Sequence, residues 1–343
     1  MERPDLSNIP AEVQTYIEFL EARVAEASKP APYRSGASAP VEPSEPPTTL
    51  NVITLSQSGV AKRTPRHLYG RQRRSGMGVF DIDVVEPDVP AIVAVADEAD
   101  DVLLWTNLGR VYRLAVNKIE ETAVRAKGSS IMGKFKFLPN EKVVSILPAD
   151  GGVYVVLVSE RGWVQRVRSS HLGKSLIPGM RFHDPKQSGF VTSACWTRGE
   201  QNVFIGTKQG KGIRFRETQI PPKHGTLGLR VDEGDVTVGV TAVDEESGVF
   251  LLSHDGKGTI RQMTGFRMNK APGAGAKVAM KTDNMVAATA VSAHDDIFIV
   301  SQSGKMIRFQ ANEIPPKDGV VQGVHCMSLR NDEATTAAGT PIS

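Results

Sequence analysis

Cysteine is nearly missing from this chain: Cys195 and Cys326 are the only two in 343 residues, and they form no CxxC pair. That spacing excludes a disulfide framework or a zinc-thiolate site as the organising device, and both read as ordinary reduced thiols. Long apolar runs are absent as well. No stretch reaches the roughly 18 apolar residues of a membrane span. The opening residues, MERPDLSNIPAEV, contain no signal-peptide core, so a cytoplasmic protein without a membrane partner is expected. Aromatic residues make up 6% of the chain, which leaves little with which to stack single-stranded bases. The histidines (His67, His171, His183, His224, His254, His294 and His325) never fall at i, i+2 or i, i+4, so no metal site is expected. Acidic pairs such as Asp100-Asp101, Glu245-Glu246 and Asp295-Asp296 border strand-like runs and read as solvated turns. Residues 273–278 (GAGAKV) lack both the spacing and the hydroxyl residue of a P-loop. No catalytic residue, metal or cofactor is expected.

Glycine, in contrast, is abundant, with 32 residues, and six of them mark a repeat. An apolar run ends in Ser or Thr, two residues follow, then Gly, and an Arg usually stands four residues later. The glycines are Gly59, Gly109, Gly162, Gly210, Gly256 and Gly304, spaced 50, 53, 48, 46 and 48 residues apart. Three residues before each stand Ser56, Thr106, Ser159, Thr207, Ser253 and Ser301. The preceding runs (NVITLS, DVLLWT, GVYVVLVS, NVFIGT, GVFLLS and DIFIVS) are short and rich in branched residues, and each ends at a glycine turn, which is a hairpin signal. Runs such as AIVAVA, VVSILP and VTVGVTAV are expected to supply outer strands. Ile-Pro-Pro-Lys recurs at residues 220–223 and 314–317, where proline marks loops or edges. Six units, each too small to fold alone, imply an all-β, six-bladed propeller-like ring.

Strand alternation then assigns faces. Counting from each turn Gly, position +4 carries Arg63, Arg113, Arg166, Arg214 and Arg308, and position +6 adds Arg168 and Arg216. Positions +3 and +5 are mostly apolar. Arg261 falls at +5 in the fifth repeat, consistent with one extra residue in a bulge. Arg110, Arg161, Lys211, Lys257 and Lys305 lie beside the turns. The expectation is that the arginine faces point outward and form a curved basic track for a phosphate backbone.

The ends of the chain differ from its body. Residues 9–27 carry Ile9, Val13, Ile17, Leu20 and Val24 on one helical stripe, which packs on the body, pairs with itself or docks on a partner. Expected boundaries are an amphipathic helix over 1–28, a Pro/Ser/Ala-rich flexible linker over 29–49, the six-repeat body over 50–331 and a disordered tail over 332–343. Residues 51–330 hold 37 basic against 28 acidic side chains, a balance that favours a polyanionic partner.

The repeated phrase resembles the C-terminal domain of the DNA gyrase A subunit and its topoisomerase IV relatives. The resemblance covers about residues 50–330. It implies a β-pinwheel, in which neighbouring blades exchange strands, and a basic rim that binds and bends DNA. The family's box, Q-R-R-G-G-K-G, is matched by Gln72-Arg73-Arg74-Ser75-Gly76-Met77-Gly78, with Ser75 for a Gly and Met77 for the Lys. Those two departures weigh against supercoil-generating wrapping while leaving binding and bending. Whole gyrase A subunits carry a breakage–reunion region with a catalytic tyrosine before this domain; here a helix and linker precede it, so no independent cleavage is expected. The reading is a non-catalytic module for double-stranded DNA, accessory to a type II topoisomerase core or self-associated through residues 9–27. Its contacts are expected from Lys62, Arg63, Gln72, Arg73, Arg74, Arg110, Arg113, Arg166, Arg168, Lys211, Arg214, Arg216, Lys257, Arg261, Lys305 and Arg308. The alternative is a propeller scaffold for an acidic protein.

Overall fold

A computed structural model describes residues 45–340, together with the helical residues Val13 and Ile17. The chain divides into residues 1–42 and 43–343. Apart from Val13, Ile17 and residues 45–49, the expected helix and linker lie outside the described residues.

The turn phrase explains itself at atomic level. Each turn Gly donates its N–H to the carbonyl three residues back, for example Gly162 to Ser159 at 2.8 Å and Gly109 to Thr106 at 2.9 Å. All six glycines adopt a left-handed φ between 67° and 90°, the conformation that closes a type I turn into a hairpin. The Ser or Thr hydroxyl then accepts the N–H of the residue after the glycine: Val60 to Ser56, Arg110 to Thr106, Trp163 to Ser159 and Lys305 to Ser301, at 3.0–3.3 Å. At these four turns the short hydroxyl supplies the acceptor for that N–H.

Six four-stranded antiparallel sheets result. From the centre outward, blade 1 consists of Pro90–Asp97, Leu50–Ser56, Val60–Pro65 and Ser129–Ser130. The innermost strands of the six blades are Pro90–Asp97, Val143–Pro148, Val191–Thr197, Thr237–Val243, Met285–Val291 and Ala334–Thr340. They line a central channel of about 600 Å³. Two expectations are corrected here. AIVAVA, VVSILP and VTVGVTAV form inner rather than outer strands, and their alanines, glycines and threonines suit the narrow centre. Residues 334–340 are not a tail but the inner strand of blade 6.

The outermost strand of every blade comes from the following repeat. Ser129–Ser130, Met180–Arg181, Thr226–Leu227, Lys277–Val278 and Val324–His325 join blades 1 to 5, and Val79–Phe80 of repeat 1 joins blade 6 and closes the ring. Each exchange segment crosses the glycine turn of the blade it joins. A Cβ on Gly304 would lie 2.2 Å from the Ile82 carbonyl, and one on Gly162 would lie 2.1 Å from that of Leu229. The glycines therefore answer two demands, backbone hand and close approach.

The apolar core is distributed between blades. Phe250, Leu252 and Ile260 of blade 5 pack on Ile297, Ile299 and Phe309 of blade 6. Phe204 of blade 4 packs on Val249 and Leu251 of blade 5. Both faces of each sheet are thus buried against a neighbour.

Gly304→Ala should destabilise the fold by about 2–5 kcal/mol, from left-handed strain plus the backbone clash. Gly234→Ala, at φ 75° in open space, should cost only about 1 kcal/mol, so urea midpoints separate the two causes.

Candidate nucleic-acid interface

Because both sheet faces are interior, the +4 arginines do not reach an outer girdle. Lys62, Arg63, Arg214, Arg261 and Arg308 are all buried, and this corrects the expectation that they display charge. The guanidinium groups of Arg63, Arg113, Arg214 and Arg308 clasp the turn that begins the next repeat's exchange segment. Arg63 donates from Nε to the Ile119 carbonyl at 3.0 Å and pairs with Glu121 at 2.6 Å. Arg113 donates to the Leu172 carbonyl at 3.1 Å and pairs with Asp101 at 2.6 Å. Arg214 donates to the Met263 carbonyl at 2.7 Å and pairs with Glu245. Arg308 closes the ring, donating to the carbonyls of Arg66 and Tyr69 at 3.1 and 3.0 Å and pairing with Asp296 and with Glu45 at 2.8 Å. Ile119, Leu172 and Tyr69 each end a single 3-10 turn. Arg166 departs from this pattern and lies over the Tyr154 ring at 4.8 Å.

Arg261 is corrected twice. Its hairpin pairs without a bulge, Val249 opposite Arg261 and Leu252 opposite Gly258, so it sits in the phase that Phe309 occupies in blade 6. It donates to the Gly265 carbonyl at 3.1 Å and rests on Phe266. Lys62 binds four oxygens from two exchange segments: Asp81 O and Oδ1, Ala123 O and Val124 O, at 2.5–2.9 Å. Asp81 also accepts from Thr54 and Tyr69, so the ammonium is a buried tie. Removing one partner of such a buried pair costs about 3–5 kcal/mol because the other charge is stranded.

The turn cations are also engaged. Arg110 donates to Glu141 at 2.6 Å, Lys211 pairs with Asp232 at 2.5 Å, and Lys257 pairs with Asp255 at 2.8 Å. Lys305 sits over the Phe80 ring at 5.2 Å. Of the sixteen expected positions, Arg73, Arg168 and Arg216 are exposed.

The box folds onto blade 6. Gln72 N–H donates to the Arg308 carbonyl at 2.8 Å, Ser75 N–H to the Cys326 carbonyl at 2.8 Å, and Arg74 N–H to Glu313 at 2.9 Å. Ser75 takes φ 70°, a left-handed conformation that favours glycine, and its hydroxyl donates to the His325 carbonyl at 2.7 Å. Arg73 and Met77 point to solvent.

Alternation along the strands missed the exposed cations that have no ion-pair partner among the described residues. Arg125, Lys127, Lys134 and Lys136 lie in the exchange segment of repeat 2, Arg181 and Lys186 in that of repeat 3, and Arg267, Lys270, Lys277 and Lys281 in that of repeat 5. All are exposed and, among the described residues, none is ion-paired. These segments flank the outermost strands, so their charge lies on the perimeter. Lys277 donates from Nζ to the Arg267 carbonyl at 2.7 Å, and partial burial, with a smaller contribution from the Arg267 charge, holds it below its ordinary pKa. Composition could have flagged them: acidic residues are sparse through 122–140 and 263–282. At the blade ends opposite the glycine turns, exposed Asp100, Asp150, Glu200 and residues 244–246 give the reverse sign. No cluster of His, Cys, Asp and Glu suited to a metal occurs among the described residues. Burial pushes the Cys326 thiol up to about 12 and the Cys195 thiol higher still, so neither is a ready nucleophile. No helix among the described residues is long and apolar enough to cross a membrane.

The sequence model of the family described as DNA gyrase C-terminal domain, beta-propeller, matches residues 50–88, 100–150, 201–244 and 295–340. The DNA gyrase A protein of Staphylococcus epidermidis is 29% identical over 292 residues, covering 81% of this chain and 33% of that protein. Its Staphylococcus aureus counterpart is 29% identical over 299 residues, with 82% and 33% covered. The chain thus spans about a third of the length of these relatives. A structure of the DNA gyrase A C-terminal domain aligns with TM-score 0.71 at 22% identity, covering 84% of this chain and 99% of its own. The C-terminal domain of DNA topoisomerase IV aligns with TM-score 0.61 at 17% identity, covering 85% and 93%.

Glu45 supplies a pH test of the ring clasp. Burial raises its pKa, but hydrogen bonds and charge from Arg308 and Arg66 outweigh this and hold it below 4.5. Its contribution is therefore complete above the unfolded value and is lost as pH falls through the lower folded value. Glu45→Gln should lower stability at pH 7 and flatten the acid limb of the thermal-melting profile relative to the parent.

Proposed function

Since this chain belongs to the DNA gyrase C-terminal domain family, we propose that its ring binds and bends double-stranded DNA along the exchange-segment perimeter. It acts there without catalysis of its own. What carries the reading is the split between two sets of cations. The strand arginines Arg63, Arg214 and Arg308 are buried and ion-paired, whereas Arg125, Lys127, Lys134, Lys136, Arg181, Lys186, Arg267, Lys270, Lys277 and Lys281 of the exchange segments are exposed and, among the described residues, without ion-pair partners. A polyanion on the perimeter would find clustered positive charge there, as at Arg267, Lys270 and Lys277. Acidic loops at one end of the blades would keep the duplex off that face.

Contacts of this kind neutralise phosphates and read no bases, so sequence preference would come from the cost of bending. The box supplies Arg73 beside blade 6, where it meets the repeat 6 segment that joins blade 5. Met77 adds exposed apolar surface where the family has a lysine, so the duplex path there carries less positive charge. The bent segment would serve a type II topoisomerase core, reached through residues 9–27 and the linker, which raises the effective concentration of DNA at that core.

Duplex affinity should fall linearly on a log–log salt plot, with a slope near −0.9 per neutralised phosphate. Lys127→Glu/Lys134→Glu/Lys136→Glu should weaken binding and reduce the slope by about one for each phosphate no longer neutralised. Arg113→Gln should lower the melting temperature while leaving the slope unchanged. A flat salt response of the parent protein would instead favour a scaffold for a protein partner.

A further inference from the structure

The perimeter is basic nearly everywhere, but at blade 3 it opens into an aromatic cleft. In four other blades the residue after the turn glycine is a cation (Arg110, Lys211, Lys257 or Lys305); in blade 3 it is Trp163. We propose that the cleft beside Trp163 binds a nucleotide, stacking its planar heterocycle on the indole and holding its phosphate at Arg181. In DNA, this would be a nucleotide that has left the base stack.

The cleft has a volume of about 700 Å³ and is lined by Trp163, Gln165, Arg181, His183, Asp184 and His224, among others. That volume falls within the usual range for small-ligand sites. The indole is fixed in place. Its Nε1 donates to the His224 carbonyl at 3.2 Å, and Gly225 comes so close that a Cβ there would lie 2.7 Å from Nε1. His224 holds a left-handed φ of 63° to present that carbonyl, a non-glycine outlier of the kind that clusters at ligand clamps. His183 is buried, and its Nε2 is taken by the Gly189 carbonyl at 2.8 Å, so it forms a wall and is not a free ligand.

Three groups are left to the ligand, each of different chemistry. Trp163 offers a partly exposed ring, and base–aromatic stacking tolerates any base. Gln165, half-buried and with no hydrogen bond from its amide among the described residues, offers one acceptor and two donors to a base edge. Arg181 sits on the rim strand opposite Arg110, exposed and without an ion-pair partner among the described residues, in the position of a phosphate fork. A fully stacked duplex offers only the phosphate. The complete set fits a free mononucleotide, or an unpaired or melted nucleotide in a strand. This assignment goes beyond phosphate tracking and does not depend on it.

The test titrates the full chain with AMP, with oligo(dT), with an intact duplex and with the same duplex carrying one bulged adenine. Binding is followed by tryptophan emission and by anisotropy of labelled DNA. Saturable quenching by oligo(dT) and the bulged duplex, lost in Trp163→Phe, is the expected result. Quenching by AMP as well would identify a free nucleotide as a source, and quenching only by strands would identify the extrahelical one. Trp163→Ala should weaken the bulge preference by about 5- to 100-fold while leaving intact-duplex affinity unchanged. Arg181→Ala, an exposed change that spares the fold, should weaken whichever of AMP and bulged duplex binds. Equal quenching by intact and bulged duplexes with none by AMP, or quenching that survives in Trp163→Phe, would overturn the proposal. Loss of salt-dependent binding to the intact duplex would count against the perimeter reading alone.

Discussion

Everything in this ring depends on the crossing of each glycine turn by a segment from the next repeat. Six small sheets cannot each bury an apolar face alone. Packed face to face they bury both, and the crossing segments fix the order in which they pack. The turn must be glycine because the backbone runs left-handed and because the crossing segment, most often through a carbonyl, lies where a Cβ would be. Conversely, the crossing segments carry their own cations to the perimeter. Closure and surface charge are therefore set by the same stretches of chain.

Arg63, Arg113, Arg214 and Arg308 belong to closure. A guanidinium has five donors in a rigid fork, enough to hold an exchange turn by its carbonyls while pairing with a carboxylate on its own blade or on the neighbouring segment. Such buried pairs add little net stability over apolar residues of similar volume. What they offer here is specificity: Arg308 has Asp296 on its own blade but completes its set of partners only when repeat 1 has docked on blade 6, and Lys62 is satisfied only when two exchange segments have both arrived. A ring assembled with a shifted repeat would strand these charges in the interior.

Much of the fold is legible in the sequence because its determinants are local. The Ser/Thr–x–x–Gly phrase fixes the hairpin through bonds within five residues, and its six-fold return gives the blade number. The sites are less legible. Alternation along a strand separates two faces but cannot say that both are interior, so Arg63, Arg214 and Arg308 look like surface charge. The carboxylates and carbonyls that hold them are tens to hundreds of residues away: Ile119 for Arg63, Glu45 for Arg308. Arg261 shifts phase with no bulge, because in its blade Thr259 and Ile260 fill the places that Ile307 and Arg308 hold elsewhere. Trp163 looks like any other strand residue until His224 is seen to pin its ring. The box was legible as a motif, whereas the left-handed φ at Ser75 was not.

The central claim is that the periodic arginines face inward and the exchange-segment cations face outward. Arginine modification by phenylglyoxal, mapped by mass spectrometry with and without a long duplex, tests it most directly. Arg73, Arg125, Arg181 and Arg267 should react quickly in the free protein and slowly with duplex bound, while Arg63, Arg214 and Arg308 stay unreactive in both states. Rapid labelling of Arg63, Arg214 and Arg308, suppressed by the duplex, would contradict the account.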